Sequence, residues 1–226
     1  MTQTKKQVKV EFGNLYKPYI LAAFTKEQLQ PLVDAVKEIK LNNLQEYNYR
    51  LAGNIEHEYE LYDNQNLVNH ITALYSPLIK LHNDKIEYEK EISFNSKDSH
   101  LKLNSLWVNF QQKYEFNPLH SHSGVYSFVL WLQVPYSIED EMKIPQSKKA
   151  NTNCPGHFYF SYLNPSNLGG IQITNLPVDK TWEYKTALFP STLLHGVHPF
   201  YTSDEYRISV SGNFVYDIHN SLGSNP

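Results

Sequence analysis

The spacing of apolar residues changes period near residue 92, and that change limits the folds this 226-residue chain can adopt. Before it, apolar positions recur at helical spacing. In "TKEQLQPLVDAVKEIKLNN", Thr25 offers an N-cap and Leu29, Leu32, Val33, Val36 and Ile39 share one face. In "NQNLVNHITALYSPLIKLHNDKIEYEKE", Leu67, Ile71, Leu74, Leu78 and Leu81 do the same, with a break or kink expected at Pro77. After residue 92 come short runs rich in β-branched and aromatic residues: "SLWVNFQQ", "VYSFVLWLQV", "HFYFSYL", "GGIQIT", "TWEYKTALF" and "EYRISVSGNFVY". Helices followed by many short strands predict a mainly β fold, a sandwich or jelly roll flanked by N-terminal helices. The expected organisation is one domain over 1–226, with a helical supporting region at 1–91 and a β core at 92–218. The charged stretch from Tyr136 to Gly156 reads as a long loop, the kind that forms a lid, an insertion or a disordered segment.

Bulk properties exclude several classes. A formal net charge of −3 argues against binding nucleic acid or membrane through bulk electrostatics. The chain contains no run of 18 apolar residues, so no membrane span is expected. "MTQTKKQVKVEF" has no apolar core of a signal peptide, and the single cysteine, Cys154, allows no internal disulfide. Both fit a reducing cytoplasm, or the host's if the chain is phage-encoded. Cys154 itself, in the polar loop, reads as incidental.

The chemistry concentrates in three segments. In "NPLHSHSGVYSFVLWLQVPY", His120 and His122 stand one residue apart before an apolar run. Residues i and i+2 on a strand share a face, so both imidazoles can converge on one metal. Alone, such a pair is more often two solvated loop histidines, or one core histidine with a satisfied hydrogen bond. In "ALFPSTLLHGVHPF", His195 lies in an apolar setting and needs a partner if buried, either a metal or a backbone carbonyl. His198 competes for the same role. In "EYRISVSGNF", one of only two arginines, Arg207, shares a strand face with Ser209 and Ser211. A guanidinium fork beside a hydroxyl suits a small-molecule carboxylate. Asn109, on "LWVNF", is a candidate for a further cosubstrate or water contact. Tyr126 and Trp131 read as core aromatics, and the remaining histidines (57, 70, 82, 100, 157 and 219) as structural or surface residues.

Taken together, "WVNF" at 107–110, "HSHSGVY" at 120–126 and "FPSTLLHGVHP" followed by "RISVSGNF" resemble the Fe(II)- and 2-oxoglutarate-dependent dioxygenases. The branch found in bacteria and marine phages is the most similar. The resemblance covers roughly residues 100–216. It implies a double-stranded β-helix, a cupin-like barrel, holding Fe(II) on His120, His122 and His195. It also implies 2-oxoglutarate as cosubstrate, its far carboxylate on Arg207 and Ser209. Such an enzyme, in most cases a hydroxylase, takes 2-oxoglutarate, dioxygen and a further substrate, and couples decarboxylation to succinate with oxidation of that substrate. Nothing in the sequence identifies this substrate.

One position departs from the family pattern. His122 stands where most members carry a carboxylate. A three-histidine face can hold Fe(II) but keeps one more positive charge than two histidines and a carboxylate. Reading His122-Ser123-Gly124 as His-x-Gly instead would resemble the halogenases, which lack the carboxylate. Two further readings stay open. A cupin metalloprotein would share the barrel and the His-x-His but not the cosubstrate, and would normally add a Glu near Tyr126–Phe128. A non-catalytic jelly roll would keep the histidines as remnants.

Overall fold

The computed structural model describes residues 10–12, 19–42, 46–87, 100–163, 168 and 170–217. The expected helical continuation past residue 87, the expected start of the β core at 92–99 and His219 lie outside these residues.

Two helices cover one side of the molecule. Helix α1 (Lys26–Asn42) starts from a capping box. Thr25 Oγ1 accepts from the Gln28 N–H at 3.3 Å, while Gln28 Oε1 accepts from the Thr25 N–H at 2.8 Å. Leu29, Leu32, Val36 and Ile39 form its buried stripe. Helix α2 (Gln65–Ile86) is capped by Asn64, whose side chain accepts from the Leu67 N–H. It runs through Pro77 without the expected break. An internal proline costs a helix about 3 kcal/mol. Here burial of Ile71, Tyr75, Leu78 and Ile79 against the sheet offsets that cost.

The described residues form eleven strands, in chain order β1 (Val10–Phe12), β2 (Ile20–Ala23), β3 (His57–Glu60), β4 (Leu101–Gln111), β5 (Asn117–His120), β6 (Tyr126–Gln133), β7 (Phe158–Leu163), β8 (Ile171–Leu176), β9 (Lys185–Pro190), β10 (Leu194–Val197) and β11 (Arg207–Tyr216). They form a seven-stranded sheet in the order β1-β2-β9-β6-β11-β4-β3 and a four-stranded sheet in the order β5-β10-β7-β8. All pairs are antiparallel. From β4 onward the chain passes back and forth between the sheets, as in a jelly roll. Region 1–91, expected as helical support, also supplies β1, β2 and β3 to the large sheet. These strands are three or four residues long, and β3 ("HEYE") lacks an apolar run, so none shows strand periodicity.

The large sheet is buried on both faces. Leu106, Val108, Phe110, Tyr126, Phe128, Leu130, Ile208 and Val210 pack toward the helices. Val129, Trp131, Ala187 and Phe189 pack inward with Phe158 and Phe160 of the small sheet. Alternation therefore sends Trp107, Asn109 and Gln111 of β4, and Arg207, Ser209 and Ser211 of β11, into the barrel, where they line its central cavity. Among the described residues, no helix is long and apolar enough to cross a membrane.

The stretch from Tyr136 to Gly156 is ordered. It contains two short helices, α3 (Ile138–Glu141) and α4 (Pro145–Lys148). The fully buried Glu141 carboxylate accepts from the backbone N–H groups of Tyr201 and Thr202, which pins the segment to the body.

Candidate active site

The cavity between the sheets brings three histidines together. His120 ends β5, and the adjacent β10 places His195 directly opposite it. His122 lies just past β5, in a turn, rather than on a strand as its i+2 spacing suggests. The turn is set by its backbone. The His122 N–H donates to Ser191 O at 2.8 Å, and Gly124 adopts φ +127° to lead the chain into β6. A side chain at Gly124 would sit 2.9 Å from Phe214 O, so a turn glycine belongs there whatever the site binds. That removes the main attraction of the His-x-Gly reading. Behind the turn, Ser191 donates to Ser127, Ser127 to Asn213, and Asn213 to Ser105.

One ligand atom from each of His120, His122 and His195 lies within 4.8 Å of the other two. Ring centroids are 4.3 to 5.0 Å apart. His198 is not part of this group. Its ring stacks on Tyr159, and its N–H is bonded to His157 O. Two tautomers follow from the hydrogen bonds. His120 Nδ1 faces Pro118 O at 2.7 Å, and His195 Nδ1 faces Leu193 O at 2.8 Å. A carbonyl only accepts, so both Nδ1 atoms carry the proton and both Nε2 lone pairs are free. Burial holds all three rings below the ordinary imidazole range, His122 at about 4 and His195 well below 6.5. Three neutral imidazoles with convergent lone pairs are the donor set a borderline divalent metal requires.

Arg207 lies deeper in the same cavity and is 2% exposed. Its guanidinium donates to Gln111 Oε1 from both Nε and Nη2. Nη1 donates to the Tyr136 hydroxyl at 2.6 Å and to Gly156 O at 2.9 Å. All these partners are neutral. A buried cation held only by neutral groups calls for an anion. Ser209 and Ser211 lie on the same cavity wall, and Asn109 Nδ2 donates to Ser209 Oγ at 3.3 Å. The Asn109 Oδ1 is buried without a partner.

The structure thus brings His120, His122, His195, Arg207, Ser209 and Asn109 to one cavity. Sequence reasoning missed Gln111, Tyr136 and Gly156. Gln111 could have been found from the β4–β11 register, which pairs it with Arg207. Tyr136 and Gly156 carry no such signal, since they bracket a 19-residue excursion that returns to one guanidinium.

Residues 105–213 match the family described as "Putative 2OG-Fe(II) oxygenase". No curated protein matches the sequence. Among solved structures, a prolyl-4-hydroxylase from Pseudomonas putida is similar at TM-score 0.50 and 13% identity, over 88% of this chain and 92% of that one. The viral collagen prolyl hydroxylase of Paramecium Bursaria Chlorella virus-1 gives TM-score 0.50 and 9% identity, over 88% and 96%. The non-heme alpha-ketoglutarate-dependent epimerase SnoN of nogalamycin biosynthesis gives 0.51 and 10%, over 88% and 79%. At these identities the likeness establishes the shared double-stranded β-helix.

Proposed function

We propose, from the match of residues 105–213 to the 2OG-Fe(II) oxygenase family, that the chain is an iron- and 2-oxoglutarate-dependent hydroxylase. In this reading the Nε2 atoms of His120, His122 and His195 hold Fe(II), and Arg207 with Ser209 holds the far carboxylate of 2-oxoglutarate. The iron, when bound, supplies activation of dioxygen coupled to decarboxylation of the cosubstrate.

The chain's own residues supply position and environment. The Pro118 and Leu193 carbonyls fix two imidazoles in the metal-binding tautomer. Gln111, Tyr136 and Gly156 engage four of the five guanidinium N–H groups and fix its plane, which leaves one N–H on Nη2 for the cosubstrate. Phe158 stacks on His195, and Phe189 and Trp107 close the walls around the rings, which keeps bulk water from the reacting centre. Asn109 donates to Ser209 and leaves its carbonyl open for a further contact.

The observation that carries the proposal is the pairing of a neutral histidine triad with a buried guanidinium that has no anionic partner among the described residues. A cupin needs the first and not the second. The experiment is a pair of variants. His195→Ala should abolish Fe(II) binding. Arg207→Ala should leave Fe(II) binding intact and weaken 2-oxoglutarate binding at least tenfold, on the order expected for losing a charge-assisted pair. Unchanged metal affinity in His195→Ala would contradict the assignment. Formation of a hydroxylated product, rather than an epimerised or desaturated one, tests the reaction type.

A further inference from the structure

Glu58 of β3 is 1% exposed, and its Oε2 is buried without a hydrogen-bond partner. It stands directly opposite Asn109 in the β3–β4 register, so the two side chains share the inner face of the large sheet. Asn109 in turn stands opposite Ser209. Glu58 therefore ends a row whose other two members, Asn109 and Ser209, line the cavity. Its Oε1 and the Asn117 side chain, which lines the cavity on the β5 side, both face Gly53. A side chain added at Gly53 would collide with Asn117 Oδ1 and press on Glu58 Oε1 at 3.0 Å.

Among the described residues, no lysine, arginine or histidine forms an ion pair with Glu58. Arg207 is engaged by Gln111, Tyr136 and Gly156. Nor does the Glu58 carboxylate join the three converging imidazoles, so it does not replace the carboxylate that the family usually places at His122. This row presents two buried oxygens without a hydrogen-bond partner, Glu58 Oε2 and Asn109 Oδ1. Leaving such acceptors unmet is costly, and a cation rich in N–H groups meets them best. An ammonium has three donors and no acceptor.

We propose that Glu58, with Asn109 and Asn117, recognises a primary ammonium group on the substrate. This rests on the oxygenase reading, because it assigns that site's substrate class. Burial, with the Glu115 charge adding to it, pushes the Glu58 carboxyl up to about 8. Glu58 alone is therefore protonated at neutral pH, and an arriving ammonium supplies the counter-charge that lets the carboxyl release that proton to solvent.

The test uses the full chain and two probes, Nα-acetyl-lysine methylamide and Nα-acetyl-norleucine methylamide, which lacks the ammonium. Binding is read from the fluorescence of Trp107 and Trp131, which line the cavity. It is measured with and without Mn(II) and 2-oxoglutarate. The lysine probe should bind about tenfold or more tightly than the norleucine probe, as for a hydrogen-bonded charge. Glu58→Gln, isosteric and neutral, should erase that preference while leaving Mn(II) and 2-oxoglutarate affinities at wild-type values. Equal binding of the two probes by the wild type, or a preference that survives Glu58→Gln, overturns the proposal. If Mn(II) and 2-oxoglutarate fail to bind while the lysine preference stands, the metal-site reading fails and the ammonium site remains.

Discussion

Arg207 donates to the hydroxyl of Tyr136 at 2.6 Å, and that hydroxyl donates onward to Gly156 O at 2.9 Å. The tyrosine thus joins both ends of the 136–156 segment to one guanidinium. Its ring stacks on Phe200 at 4.7 Å, which holds the hydroxyl in place. Burial raises its pKa while Arg207 pulls it back, so the phenol stays protonated and keeps its proton for Gly156.

Tyr136→Phe should therefore loosen Arg207 without removing its charge. We expect 2-oxoglutarate affinity to fall about tenfold or more, since a hydrogen bond to a charged group is worth about 1.5–3 kcal/mol. Fe(II) affinity should not change. Anaerobic calorimetry with each ligand checks both halves. Equal loss of metal and cosubstrate would mean that the substitution disturbs the barrel generally.

Replacing His122 with Asp would restore the family's usual carboxylate. The neutral triad leaves the metal one positive charge richer, which favours a dianionic cosubstrate. His122→Asp should keep metal binding and weaken 2-oxoglutarate severalfold. Titrating 2-oxoglutarate into the Fe(II)-loaded variant tests this. Tighter 2-oxoglutarate binding than wild type would contradict the charge argument.

Glu58 gives a pH signature. Its carboxyl titrates near 4.5 when unfolded and near 8 when folded. Between these values the folded state holds the proton that the unfolded state has lost. The Glu58 contribution to stability therefore falls as pH rises through this window and levels off above it. Glu58→Gln cannot lose that proton. The variant's melting temperature should gain on wild type from pH 5 to pH 8.5. A difference that is flat across this range would mean Glu58 is not held protonated by burial.

Much of the site was legible because chemistry and alternation coincide. Arg207, Ser209 and Ser211 could be placed on one face of β11 from period-2 spacing alone, and Ile208 and Val210 on the other. The capping box at Thr25 and the buried stripe of α1 followed from helical spacing in the same way. The parts that were missed depend on long-range register. β3 is a polar four-residue strand whose place comes from pairing with β4, so the sequence around Glu58 carries no sign of its burial. His122 converges with His120 because a glycine turn swings it there, not because both lie on one strand. Pro77 was read as a helix break because sequence shows the lost N–H and not the packing that offsets it. The 136–156 segment looked like a free loop because its anchors, Glu141 on Tyr201 and Thr202 and Tyr136 on Arg207, join residues about 60 to 70 apart.

The central claim is that a metal and 2-oxoglutarate share the cavity between His195 and Arg207. Anaerobic titration of the full chain with Fe(II), with and without 2-oxoglutarate, tests it most directly through the visible metal-to-ligand charge-transfer band. We expect a band only when both are present, and its loss in Arg207→Ala at cosubstrate concentrations that saturate wild type. Tight iron binding with no band at any 2-oxoglutarate concentration would contradict the claim.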